Sequence, residues 1–157
     1  MARWIDSWLP GGEATAGGNV ASRHPGERLG LPAEGVNSVA RFGRRLAALT
    51  LDWLAAYLIA AVVVGQGALE RPTFGWAVLG VWFVLTAVPV AVFGASAGMT
   101  ALGIRVAPLD GAAVVGVPRA LLRTALIAVV IPAVVRDEDG RGLHDRATRT
   151  VVIRTRG

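Results

Sequence analysis

Two long stretches of this chain contain almost no polar residue. Leu46 to Val64 reads LAALTLDWLAAYLIAAVVV. Its about 19 residues make about 28 Å of helix, against an apolar bilayer core of roughly 30 Å. Asp52 is its one ionised side chain, Arg44 and Arg45 close one side, and Gly65, Gln66 and Gly67 close the other. Phe74 to Phe93 reads FGWAVLGVWFVLTAVPVAVF and carries no charge. Pro89 can kink its last part without ending it. Trp76 stands where an interfacial ring belongs. Neither run has a polar face to show to water. The pair therefore predicts a helical hairpin across a bilayer, over about 44–65 and 74–93, rather than two core helices of a soluble bundle.

A third apolar run, Ala120 to Val135, is harder to read. Arg123 interrupts it and Pro132 lies near its end. From Thr124 about 12 residues are uncharged, where a straight span needs about 20. This predicts a short apolar helix over about 119–135 that either spans or re-enters. Ahead of it, Ile104 and Val106 alternate with Arg105, and Asp110-Gly111 signals a turn. Val114, Val115 and Val117 then supply a return strand, and Thr150–Thr155 a further one. Such strands pair into a small sheet outside the membrane, with plain loop as the alternative. The expected class is an α-helical integral membrane protein with small extramembrane β elements.

Residues 1–38 are rich in Gly, Pro, Ala and Glu and read as an irregular N-terminal extension. Trp4 and Trp8 share one helical face within it and can rest at the interface. The first strong apolar run begins too late for a secretory leader. Residues 39–155 form the membrane domain, and 156–157 the C-terminal end.

Composition sharpens this picture. Of 157 residues, 54% are apolar and 17% charged, where a soluble domain carries about 25% charge. There is no Cys, which excludes disulfides and thiol chemistry. The two His are far apart, so no metal site and no cofactor is expected. The net charge of +5 comes from 16 basic residues, all Arg, against 11 acidic ones. These flank the apolar runs instead of lining one face of a domain, which speaks against nucleic-acid binding. The positive-inside rule places the N-terminus and residues 94–118 in the cytoplasm and residues 66–73 outside. Six arginines in 136–157 favour a cytoplasmic tail. A full third span would place that tail outside.

Asp52 is the main candidate for function, because a lone carboxylate in a span costs at least a few kcal/mol. Arg123 is the preferred partner, with Arg45, about 10 Å along the same helix face, as another. Ala48, Ala55 and Ala56 leave room for a second helix to approach. The run Arg136–Arg146 holds an acidic triplet that lacks calcium-loop spacing. His144-Asp145 can be read as a base and its orienter, but no nucleophile accompanies it. A salt-bridge patch at a helix start is the plainer reading. Gly94–Thr100 fits no nucleotide fingerprint and reads as a tight turn.

Taken in order, these pieces resemble the RDD family of small bacterial membrane proteins, named for one arginine and two aspartates. Phe42-Gly43-Arg44-Arg45-Leu46 through Asp52 resembles the family's opening motif, with Arg45 or Arg44 as its arginine and Asp52 as its intrahelical aspartate. Gly98-Met99-Thr100-Ala101-Leu102-Gly103 resembles a G-x-T-x-G-K segment but lacks the Lys. Asp110-Gly111, Arg119 and Arg123 resemble the following turn and arginines. Leu143-His144-Asp145-Arg146-Ala147-Thr148-Arg149-Thr150 resembles the closing L-H-D-R-L-A-G-T stretch, with Asp145 as the other aspartate and Thr148-Arg149 in place of Ala-Gly. The first 38 residues resemble an extension found in actinobacterial members. The resemblance implies a multi-pass protein of the bacterial cytoplasmic membrane, and cation/proton exchange has been attributed to some members.

Three functions compete. The first in order is a structural or partner-binding membrane protein with an intramembrane network drawn from Arg44, Arg45, Asp52, Arg119 and Arg123. The second is a small cation or proton transporter using Asp52, which needs a homo-oligomer to enclose a path. The third, an enzyme using His144 and Asp145, is set aside for want of a nucleophile or metal. The expected partners are the lipid bilayer, a second copy of the chain, and protons or monovalent cations.

Overall fold

The first apolar run forms helix α1, Phe42–Val64, and the second forms α2, Phe74–Phe93. The computed structural model describes residues 23–129 and 141–157. Both helices are long and apolar enough to cross a membrane. A 3-10 turn, Ala68–Glu70, joins them. On α1 the buried positions are Ala48, Asp52, Ala56 and Ala60, one per turn along one stripe. On α2, Phe74, Val78, Trp82, Thr86 and Val90 repeat the same spacing. Small residues on α1 admit the large ones of α2: Trp82 is fully buried and stacks on Trp53 with ring centroids 4.9 Å apart. The opposite faces stay apolar and uncovered, with Leu54, Leu58, Val62, Val63, Val84 and Val88 all more than half exposed.

Gly94 takes a left-handed φ of 74° and ends α2. Ser96 then caps a short helix α3, Ala97–Ala101, by accepting from the Met99 N–H. Strand β1, Ile104–Pro108, follows. Helix α4, Val117–Ala128, starts with Pro118 in its first turn and packs on α2. Its 12 residues make about 18 Å of helix. The helix expected over 119–135 is thus seen as far as Ala128, with Val129 as its C-cap; residues 130–135 lie outside the described ones, as do Trp4, Trp8 and the acidic triplet. Helix α5, Leu143–Ala147, and strand β2, Thr150–Arg154, complete the order.

β1 and β2 pair antiparallel, from Ile104 opposite Arg154 to Pro108 opposite Thr150. The expected return strand at Val114–Val117 does not form. Gly116 at φ 82° and Pro118 turn that segment into the start of α4, while Val115 is buried in the core. The third partner is instead the chain just before α1. Asn37 and Ala40 donate to the carbonyls of Arg154 and Val152, and Val39 bridges Ile153. The segments entering α1, leaving α2 and ending the described chain therefore meet at one end of the hairpin.

Candidate functional site

The polar centre of the molecule lies where that sheet meets the helices. Asp145, in the first turn of α5, is fully buried. Its Oδ2 accepts from Arg45 Nη1 at 2.7 Å, and its Oδ1 accepts from Arg123 Nη1. The Gly142 N–H donates to Oδ2 at 3.3 Å, and His144 Nε2 lies 3.4 Å from Oδ1. Burial pushes the Asp145 carboxyl up, but the charges of Arg123 and Arg45 outweigh it and hold the group well below the usual carboxylate range.

Each arginine reaches further than the carboxylate. Arg45 Nε donates to the Ala40 carbonyl at 3.1 Å and Nη2 to the Val152 carbonyl at 3.4 Å. Arg123 Nη1 also donates to Thr150 Oγ1 at 3.2 Å. Thr148 Oγ1 lies 2.9 Å from Thr150 Oγ1 and donates to the His144 carbonyl at 2.7 Å. One carboxylate thus ties α1, α4, α5, β2 and the strand-like flank at Ala40 together. Guanidinium forks suit this role because one planar group donates in several directions.

Asp52 lies in a second buried cluster. Its Oδ1 accepts from the Gly98 N–H at 2.7 Å and its Oδ2 from the Ser96 hydroxyl. These bonds lock α1 to the start of α3. Gly98 is needed there: a Cβ would collide with the Ala48 carbonyl and stand 3.0 Å from the Asp52 carboxylate. The expected Asp52–Arg123 pair is not made. Arg123 is taken up by Asp145, and neutral donors satisfy Asp52.

The remaining candidates lie apart from the centre. Arg119 forms a fork with Asp110, with Nη1 to Oδ1 at 3.1 Å, and its hydrogen bonds hold the Asp110 carboxyl down to about 2. Arg44 is half-buried and makes no bond to Asp145 or Asp52. Arg146 follows Asp145 but is exposed. Ser96, Gly98 and Thr150 were not singled out as site residues. Gly98 and Thr150 stand in the stretches that resemble family segments, and Ser96 offered a signal as a capping residue ahead of a short helix.

The two clusters flank one cavity of about 190 Å³. Arg45 and Asp52 line it from α1, Thr86 from α2, Met99 from α3, Arg123 and Ile127 from α4, and His144 from α5. Among the described residues no group of His, Cys, Asp and Glu is placed to hold a metal ion.

A family model described as the RDD family matches residues 39–149. The chain belongs to the RDD family. Comparison with curated proteins and with solved structures finds no match. In this RDD chain Arg45, not Arg44, reaches the buried carboxylate. The two buried aspartates do different work: Asp145 gathers arginines, and Asp52 gathers a hydroxyl and a backbone N–H.

Proposed function

We propose that this RDD chain is a non-catalytic, multi-pass protein of the bacterial cytoplasmic membrane, with a structural or partner-binding role. Its acid–arginine network acts as the internal brace. The observation that carries this reading is Asp145, fully buried and shared by Arg45 and Arg123. Both its oxygens are committed to guanidiniums, so it serves as an anchor and not as an orienter for a His144 base. The membrane placement draws support from α1 and α2, whose large side chains leave one broad apolar surface that only lipid or another apolar surface can cover.

Charge gives the orientation. Arg41, Arg44 and Arg45 crowd the start of α1, so that end lies in the cytoplasm. The pairing of β1 with β2 and with residues 37–40 supports the same side for the N-terminal flank, the loop after α2 and the tail. Leu109, whose N–H donates to the Arg149 carbonyl, and Arg149 then lie on one side, which favours a re-entrant third segment over a full span.

The second reading is transport of protons or monovalent cations by a homo-oligomer. Asp52 on α1 and Thr86 on α2, whose buried hydroxyl has no hydrogen-bond partner, line the same cavity and favour it. Flux of protons and cations in reconstituted vesicles separates the two. On the bracing role, native chain and Asp52→Asn leak equally. Flux in the native chain that Asp52→Asn abolishes would replace the structural reading with transport.

A further inference from the structure

Apart from the buried brace, three arginines converge on one open cleft of about 380 Å³. Arg141 stands just ahead of α5, Arg146 near its end, and Arg149 in the turn from α5 to β2. Leu109 and Asp110, just past β1, complete the lining. Asp110 is already paired, since Arg119 Nη1 donates to its Oδ1 at 3.1 Å. The cleft thus sets three guanidiniums against one paired carboxylate. Like charges held together repel, and a cleft lined by one sign concentrates its field on an ion of the other.

Membrane orientation asks for arginines on the cytoplasmic side but not for their convergence. Arg149 shows that the convergence is built into the backbone. Among the described residues only Asn37 and Arg149 take a left-handed φ without being glycine, and Arg149 does so at 51°. Asn tolerates that region, whereas a side chain such as Arg is strained there. Two backbone bonds hold Arg149 in place. Its N–H donates to the Arg146 carbonyl at 3.1 Å, and its carbonyl accepts from the Leu109 N–H at 3.0 Å. The residue is exposed, so burial does not explain the strain. A strained residue on a cleft wall, where glycine would sit at ease, points to use of its side chain.

The lining also selects the ligand. Leu109 is its one apolar residue, which leaves little for an apolar molecule to cover. A guanidinium fork matches phosphate oxygens two at a time, and a phosphate has oxygens enough to engage more than one fork. Small-molecule sites begin at about 300 Å³, so the cleft has room for more than a single atom-sized ion.

We infer that this cleft binds a phosphate-bearing anion, with Arg141, Arg146 and Arg149 as its donors. The inference goes beyond the bracing role. No residue of α1 or α2 lines the cleft, so the site stands whether or not the hairpin crosses a bilayer. The phosphate belongs either to a soluble molecule or to a lipid headgroup, and the two arms of the test tell these apart.

Full-length protein in neutral detergent is titrated with inorganic pyrophosphate in a calorimeter. In parallel it is loaded with phosphatidylglycerol or phosphatidylcholine, and bound lipid is counted by native mass spectrometry. Pyrophosphate binds at one site per chain. Arg149→Gly, which suits the left-handed φ, keeps or raises the unfolding midpoint and weakens binding at least about tenfold, as loss of a charged hydrogen bond implies. Arg146→Gln weakens binding likewise and serves as the second variant. Arg71→Gln, in the loop between α1 and α2, removes the same charge and leaves binding unchanged. Preference for phosphatidylglycerol that Arg149→Gly removes, without pyrophosphate binding, keeps the site and assigns it to a headgroup. No binding in either arm, undiminished binding by Arg149→Gly, or an equal loss in Arg71→Gln would overturn it. The acidic run Asp137-Glu138-Asp139 precedes Arg141 in sequence and competes for the same guanidiniums. Binding that appears only after Asp137→Asn, Glu138→Gln and Asp139→Asn are combined would assign the cleft to the chain's own carboxylates and sink the proposal.

Discussion

Replacing Asp145 by Leu removes one carboxylate and strands two guanidiniums. The Arg123 side chain is 3% exposed and that of Arg45 is 14% exposed. Water therefore cannot replace the lost partner of Arg123, and reaches Arg45 only in part. Breaking a buried pair from one side costs about 3–5 kcal/mol. Asp145→Leu is expected near the upper end, at about 4–5 kcal/mol, because both arginines lose their partner. Arg123→Leu leaves the carboxylate with Arg45 and is expected near the lower end, at about 3 kcal/mol. In the double variant only Arg45 is left without the carboxylate, and it keeps its bonds to the Ala40 and Val152 carbonyls. The losses are therefore less than additive, with a coupling of about 1.5–3 kcal/mol in a thermal-unfolding cycle in detergent. The parallel cycle of Asp52→Leu with Arg123→Leu is additive within about 0.5 kcal/mol, because the two share no hydrogen-bond partner. Additivity between Asp145 and Arg123, or strong coupling between Asp52 and Arg123, would refute the assignment of the network.

Gly98→Ala is expected to destabilise by more than about 1 kcal/mol, because the added Cβ meets backbone and not a flexible side chain; an unchanged unfolding midpoint argues against the α1–α3 lock. The depressed Asp145 carboxyl contributes stability that is fully present above the unfolded value of about 4 and is lost as pH falls from there toward the folded value. The unfolding midpoint of the native chain should thus drop more steeply below about pH 4 than that of Asp145→Asn, and parallel curves would remove the linkage. In this Cys-free chain, single cysteines at positions 110 and 155 should label from the cytoplasmic side and one at position 70 from outside; labels at 110 and 155 from opposite sides would contradict the shared sheet.

The two long helices were legible because burial in lipid and burial in protein ask for the same thing, an unbroken apolar run. The start of α1 was placed a little late, since Phe42 and Gly43 precede the arginines that looked like its boundary. β1 and β2 were legible as strands from short-range alternation and as members of one small sheet, but not the order within it, where β2 and not a Val114–Val117 return strand lies beside β1. Asp110-Gly111 signals a local hairpin, and only the three-dimensional chain shows that β2, more than 40 residues on, takes the position beside it. The same distance problem hid the centre of the site. Asp52 drew attention because a charge in an apolar run is conspicuous, and attraction between opposite charges then nominated Arg123. Asp145 sits in a polar stretch, where nothing in its neighbours signals complete burial. The satisfaction of Asp52 by Ser96 and a glycine N–H was equally hard to see, because every residue offers a backbone donor and only folding selects one.

The span between Arg45 and its carboxylate has a consequence during synthesis. The two are 100 residues apart. At roughly 5–20 residues per second the ribosome delivers Asp145 on the order of 5–20 s after Arg45. The helical hairpin is complete long before then, while Asp145 is not yet available to the Arg45 guanidinium. On the membrane reading proposed above, Arg45 spends that interval at the bilayer surface, among lipid phosphates and water. Arrival of α5 and β2 then draws Arg45 and Arg123 onto one carboxylate and stitches β2 to the flank before α1. The brace is therefore also a latch that closes last, and truncation just ahead of Leu143 would release a hairpin that has no means of closing the end where the sheet forms.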